Sequence, residues 1–279
     1  MGKILTLTVQ ILIVLVITNQ LFSQTDLIPY RKYDTAKKSS LWGFCDKTKK
    51  IIIPLKYDYV QPFNEGRALV NSGDKYGFID EKGNEVIPIK YEADLPHYSG
   101  KDMGDDFIDG LARVKLNGKW GFINKEGTEI ISIKYDTVEN FVDGLAKVRF
   151  NEGKLNGGTC GFINSEGKEV LPLIYNYISK LNDGFYVAHN NLTCGLVNKD
   201  GYLITEMKYY GIEEFVEGFA KVGIWKECGF INKEGKEVVP VKYESAVNFH
   251  NGFARVSYRI GEHHWLEGYV DGNGNEYWE

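Results

Sequence analysis

The chain has 279 residues and a formal net charge of −5, with acidic and basic residues interspersed. That balance offers no basic footprint, so nucleic acid and anionic lipid surfaces are not expected partners. The 31 glycines, 14% aromatic residues and three methionines suit many short strands joined by tight turns.

Residues 1–23 stand apart. Lys3 precedes an apolar run over residues 4–17, interrupted only by Thr6, Thr8 and Gln10, and Ser23 supplies a small residue before Gln24. This is the layout of a secretory signal peptide. The run falls short of the ~18 apolar residues of a membrane span. Cleavage leaves a mature domain of residues 24–279, with no stable membrane span and with no cysteine near the cut to carry a lipid anchor.

The mature chain is repetitive. A glycine followed by an aromatic or apolar residue recurs as Trp42-Gly43-Phe44, Tyr76-Gly77-Phe78, Trp120-Gly121-Phe122, Cys160-Gly161-Phe162, Cys194-Gly195-Leu196, Cys228-Gly229-Phe230 and Glu267-Gly268-Tyr269. The steps between these glycines are 34, 44, 40, 34, 34 and 39 residues. A period in this range marks a repeat architecture. Residues 27–33 read as a variant first strand leading to Trp42. The next elements are a third strand through Pro54, then the second unit, then an insertion over residues 93–106 that contains Pro96, His97, Tyr98 and Met103.

The unit around Trp120 shows the grammar most plainly. In residues 111–116, Ala112, Val114 and Leu116 alternate onto one face, as in a half-buried strand. Asn117-Gly118 signals a type I′ hairpin, residues 119–124 form the return strand, Glu126-Gly127 a second turn, and residues 129–135 a third strand. Asp143-Gly144 opens the next unit. Each unit is therefore expected to be a meander of three or four strands. Pro54, Pro88, Pro172 and Pro240 share one place in the third strand, which predicts an edge strand or a local irregularity, because proline cannot donate to a ladder. Two later insertions, residues 150–159 and 257–267, lengthen the same hairpin in different units. The chain closes on a last return strand and turn, giving six whole units and one truncated unit. No stretch has helical periodicity.

The pattern resembles the WG-repeat family, also called KWG repeats, of bacterial proteins. The resemblance rests on Lys119-Trp120-Gly121-Phe122-Ile123-Asn124-Lys125-Glu126-Gly127, and on Lys-Tyr-Asp or Lys-Tyr-Glu at 56–58, 90–92, 134–136 and 242–244. It rests also on Phe-x-acid-Gly-x-Ala-x-Val at 141–148 and 215–222. It covers the whole mature chain and implies a repeat domain without a shared catalytic motif. The expected architecture is all-β, an open solenoid-like array of antiparallel meanders of about 34 residues; the alternative is a small-bladed β-propeller.

Candidate chemistry is sparse. Cys160, Cys194 and Cys228 occupy one equivalent place, where they replace Trp as small packing residues; Cys45 lies three residues beyond that place and is expected to face the other way. The spacing of a zinc site is absent. A bridge between neighbouring units stays open. Trp42, Tyr76 and Trp120, with Tyr57, Tyr91, Tyr135, Tyr175, Tyr209 and Tyr243, form two aromatic ladders. Exposed, they would stack on sugar rings; buried, they are the repeat core, and core is the expectation. Arg113, Lys147, Lys221 and Arg255 form one charged row and Lys56, Lys90, Lys134, Lys208 and Lys242 another, read as solvated strand faces with cross-strand ion pairs.

No nucleophile elbow, phosphate loop or zincin helix is present, so no catalytic residue, metal or cofactor is assigned. Symmetry breaks only in the insertions, which makes His97, Tyr98, Met103, Phe150, His263, His264 and Trp265 the candidate binding residues. The expected function is a non-enzymatic binding or scaffold protein in the periplasm, at the cell surface or secreted, with a protein or an envelope glycan as partner. The alternatives are a hydrolase with its site in the inserted loops and a purely structural envelope protein.

Overall fold

Antiparallel pairing builds nearly everything in the computed structural model, which describes residues 27–35, 39–93, 106–151, 158–261 and 264–278. Residues 1–26, which hold the expected signal peptide, and most of the first insertion lie outside the described residues. The chain divides into two compact units, Met1–Lys134 and Tyr135–Glu279. Among the described residues the strands form seven separate sheets of three or four strands, in tandem order along the chain, and none closes into a barrel.

In the first unit, sheet one contains Ile28–Asp34, Ser39–Cys45 and Ile51–Tyr57. Sheet two contains Tyr59–Val60, Ala68–Ser72, Lys75–Ile79 and Glu85–Glu92, and sheet three Leu111–Leu116, Lys119–Asn124 and Glu129–Tyr135, whose last residue opens the second unit. Sheet four contains Thr137–Val138, Leu145–Phe150, Thr159–Asn164 and Glu169–Tyr175. Sheet five has Tyr177–Lys180, Tyr186–Asn190 and Thr193–Val197. Sheet six contains Gly211–Val216, Phe219–Ile224, Glu227–Asn232 and Glu237–Tyr243, and sheet seven Ser245–Ala246, Phe253–Arg259, Trp265–Asp271 and Glu276–Trp278. A single short 3₁₀ turn, Asn182–Gly184, is the sole helical element among the described residues.

The proline-bearing third strand is an edge strand, as its sequence requires, and it is also bulged. In sheet four Cys160 pairs with Tyr175 but Phe162 pairs with Leu171, so the outer strand carries extra residues opposite Gly161. The bulged backbone is pressed onto that glycine. A Cβ on Gly161 would lie 2.4 Å from the Leu171 carbonyl oxygen, and Gly43, Gly77, Gly121 and Gly229 meet their own third strands in the same way. The glycine of the repeat is thus fixed by close approach of backbone. In sheets two and three a glutamate at the start of the bulged strand serves the bulge, Glu85 accepting from the Ile89 N–H and Glu129 from the Ile133 N–H.

Strand alternation then divides sheets two, five and six each between two cores. Tyr76 and Phe78 face forward to pack with Ala112, Val114 and Ile123 of sheet three, while Ile79, Val70 and Ala68 face back onto Phe44, Ile53 and Tyr57 of sheet one. In the second unit Cys194 and Leu196 likewise pack with Ala220, Val222 and Ile231, and Phe230 and Tyr243 with Ala254, Val256 and Val270. Polar contacts join successive sheets at both ends. The Tyr209 and Tyr243 hydroxyls donate to Glu237 (2.8 Å) and Glu276 (2.6 Å) of the following strands. Glu217 accepts from the N–H groups of Asn251 and Gly252 in the next turn.

The Lys-Tyr-Asp segment has a role the sequence did not disclose. After the tyrosine ends one sheet, the chain crosses over and the next residues pair as the first strand of the following sheet. Asp58 and Asp136 then accept from the backbone N–H groups of Gly73 and Asn151 at the hairpin beside them.

Candidate interaction surface

The aromatic ladders are core. Tyr57, Tyr76, Tyr91, Trp120, Tyr135, Tyr175, Tyr209 and Tyr243 are all buried and Trp42 is half-buried, so no sugar stacks on them. The cysteines are packing residues as well. All four are unpaired. The Cys160 and Cys228 thiols donate weakly to the carbonyls of Tyr175 and Tyr243, both at 3.4 Å. Burial raises both thiols and pushes Cys194 up to about 11, which leaves little thiolate to react. Among the described residues no cluster of His, Cys, Asp and Glu is arranged to hold a metal ion.

The charged rows are occupied by pairing. Lys147 reaches Glu139 at 2.6 Å, Lys221 reaches Glu213 at 2.8 Å, and Arg255 reaches Glu267 at 3.4 Å. Lys56, Lys90, Lys208 and Lys242 each lie over the ring of the adjacent buried tyrosine, at 5.1–5.4 Å.

What stands out is the hairpin edge of the second unit. In the first unit the tips are built of Gly73-Asp74 and Asn117-Gly118, small or polar residues that take positive φ readily. In the second unit two of the described tips carry apolar residues. Leu192 follows Asn191 and is 81% exposed, and Trp225 is 82% exposed. Trp225 holds φ at +55°, in the place where the sister hairpins have Asn117 (+52°) and Asn191 (+51°). A bulky residue in that left-handed region costs on the order of 1–3 kcal/mol. Among the described residues its large ring meets one other ring, that of Tyr210, with centroids 5.6 Å apart. The Tyr210 N–H is tied to the Gly223 carbonyl at 2.7 Å, which fixes it beside the hairpin.

Beside this pair runs an open groove of about 230 Å³, lined by Lys226, Glu227, Lys242, Glu244, Tyr258 and Arg259. Two of these lining residues contact Trp265, 53% exposed: its indole N–H donates to Glu244, and its ring lies 5.9 Å from the Arg259 guanidinium. The Lys242 ammonium is held at 2.6 Å by Glu276, which Lys242, Tyr243 and Trp278 together lower to about 2. The groove therefore offers two further cations and two carboxylates, close to electrically balanced.

Of the residues expected from sequence, Trp265 joins this surface and His264 is exposed next to it. Phe150 does not join it: the ring is half-buried against Tyr135, centroids 4.9 Å apart. His97, Tyr98, Met103 and His263 lie outside the described residues. Trp225, Tyr210 and Tyr258 were not singled out by sequence. The available signal was the substitution of Trp225-Lys226 for Asn117-Gly118 at the same hairpin.

A sequence profile described as WG containing repeat matches the chain seven times, at residues 42–76, 76–93, 102–120, 120–154, 161–191, 195–224 and 229–259. The chain belongs to the WG-repeat family. No curated protein matches it. Among solved structures it is similar to Kluyveromyces lactis Hsv2p, at 11% identity over 91% of this chain and 90% of that one, with a TM-score of 0.32. It is similar also to a eukaryotic initiation factor, at 8% identity over 89% of this chain and 73% of that one, TM-score 0.34. The extracellular domain of a putative one component system from B. thetaiotaomicron shares 11% identity over 88% of this chain and 38% of its own length, TM-score 0.26.

Proposed function

We propose that this WG-repeat chain is a non-enzymatic binding scaffold, exported to the bacterial envelope, that engages a protein or an envelope glycan through the hairpin edge of its second unit. One observation carries the reading. Trp225 violates two local rules at once, a strained backbone and a ring left in water, with no core gained in return. Such a conflict in an otherwise consistent repeat is the mark of a residue kept for what it touches. Export is supported by the charge and apolar run of residues 3–17. Among the described residues, no helix is long and apolar enough to cross a membrane.

The test has two parts. Cell fractionation of the full chain is expected to place a processed form, shortened by about 23 residues, outside the cytoplasm; a full-length cytoplasmic product contradicts export. Arrays of envelope glycans and peptides probed with the mature chain are expected to give saturable binding that weakens when Trp225 is replaced. Absence of binding on every array contradicts the scaffold reading.

A further inference from the structure

We infer that the Trp225–Tyr210 pair and the adjoining groove form a binding site for a neutral polysaccharide. The inference rests on the reading of the chain as a binding scaffold and gives that scaffold a ligand class.

Three properties of the surface select this chemistry. The first is the pair of aromatic stations, Tyr210 with Trp225 on the hairpin side of sheet six and Trp265 on the hairpin of sheet seven, each ring well exposed. Rings open to water on one face match the apolar faces of pyranose rings. Stacked sheets lie roughly 10 Å apart, so two stations on neighbouring sheets suit an extended polymer better than a single small sugar.

The second is the charge between the stations. With Lys242 engaged by Glu276, the groove keeps Lys226 and Arg259 against Glu227 and Glu244. Balanced charge gives no attraction for an acidic polymer. It does give donors and acceptors side by side, and a sugar hydroxyl both donates and accepts.

The third separates sugar from the other ligand that favours aromatic grooves, a proline-rich peptide. Such a peptide brings carbonyl acceptors and few N–H donors, so it would offer Glu227 no donor, whereas Glu244 already accepts from the Trp265 indole. A polysaccharide hydroxyl supplies Glu227 with a donor.

Native affinity electrophoresis of the full mature chain tests the site, with gels containing soluble neutral polysaccharides (mixed-linkage β-glucan, xylan, galactomannan, dextran), polygalacturonate, or no polymer. A proline-rich peptide is titrated separately by fluorescence anisotropy. At least one neutral polymer is expected to retard the wild-type chain. Trp225→Asn, which the turn accommodates as it does Asn117 and Asn191, is expected to weaken retardation about 10-fold or more. Trp225→Phe is expected to recover part of it. Trp265→Ala is expected to weaken it as well, which tests the second station on a different hairpin.

Folding is monitored by the circular dichroism of each variant. Equal retardation of wild type and Trp225→Asn overturns the site. Retardation by polygalacturonate alone overturns the neutral ligand. Peptide binding without polysaccharide binding overturns the polysaccharide but leaves the scaffold standing. No binding by any probe overturns the polysaccharide site and counts against the scaffold itself.

Discussion

Replacing Gly161 by alanine puts a methyl group where the bulged third strand of sheet four already sits. The new Cβ would lie 2.4 Å from the Leu171 carbonyl oxygen and 2.7 Å from that of Pro172. Non-bonded atoms settle at about 3.5 Å, so the outer strand must retreat by roughly 1 Å. Its retreat loosens Leu171, which is buried beside Cys160, Phe162 and Tyr175. Overpacking of this kind costs about 1–3 kcal/mol, and the stiffer unfolded chain returns about 0.4–1 kcal/mol. The expected net loss is about 1.3 kcal/mol, a fall in Tm of roughly 3–5 °C.

Gly195 is the internal control, in the same unit and at the same place in the repeat. Its Cβ would meet the Met207 sulfur at 2.8 Å and Leu203 Cδ1 at 2.9 Å, flexible side-chain ends that can rotate away. Gly195→Ala is expected to cost less than about 1 kcal/mol. Thermal unfolding followed by circular dichroism compares the two. A Gly161→Ala chain as stable as wild type, or a Gly195→Ala chain equally damaged, would refute the bulge as the reason for the glycine.

Further expectations concern the turn, the thiols and acid. Trp225→Asn should hold stability within about 1 kcal/mol of wild type in urea, because relief of backbone strain offsets the lost contact with Tyr210; a loss above about 3 kcal/mol would make Trp225 a structural residue. Iodoacetamide at pH 8 should leave Cys160 and Cys194 unmodified in the native chain and label both in urea, since both thiols are buried and raised. Rapid native labelling, read by peptide mass, would contradict that burial. Glu276 is lowered from 4.5 to about 2, first by Lys242 and then by Tyr243. The depressed carboxyl contributes fully above pH 4.5, and the contribution disappears as pH falls toward 2. Glu276→Gln should therefore cost about 1 kcal/mol at pH 7, discounted for its exposure to solvent, and the difference should shrink at pH 3. A pH-independent difference would contradict the linkage.

The repeat was legible because its determinants are local. Acid-Gly turns, the Asn117-Gly118 hairpin and the alternation of Ala112, Val114 and Leu116 each declare themselves within a few residues, and the prolines marked the irregular edge strand. Two-residue strands such as Tyr59–Val60 and Thr137–Val138 were not legible. Nothing within so short a stretch says whether it stays with its own sheet or crosses to the next; the decision lies in hydrogen bonds to residues such as Val70 and Val148. Sheet five is the other departure. After Thr193–Val197 its third strand is reduced to isolated bridges, Val197 with Leu203 and Cys194 with Tyr209, although the repeat continues through it in sequence.

The candidate site was half legible. Length breaks directed attention to the insertions, and these yielded Trp265. Trp225 lies in a hairpin of ordinary length, where the one sequence signal is Trp225-Lys226 in the place of Asn117-Gly118; the strain and the exposure show only in the structure.

The claim that this chain binds and does not react is tested most directly by isothermal titration calorimetry of the mature wild-type chain with the neutral polysaccharide that retards it most. Binding by a scaffold predicts injection heats that saturate, a baseline that returns to its starting level after each injection, and loss of the signal in Trp225→Asn. A baseline displaced by continuing heat reports turnover, and injections without heat of binding report no site; either result contradicts the account.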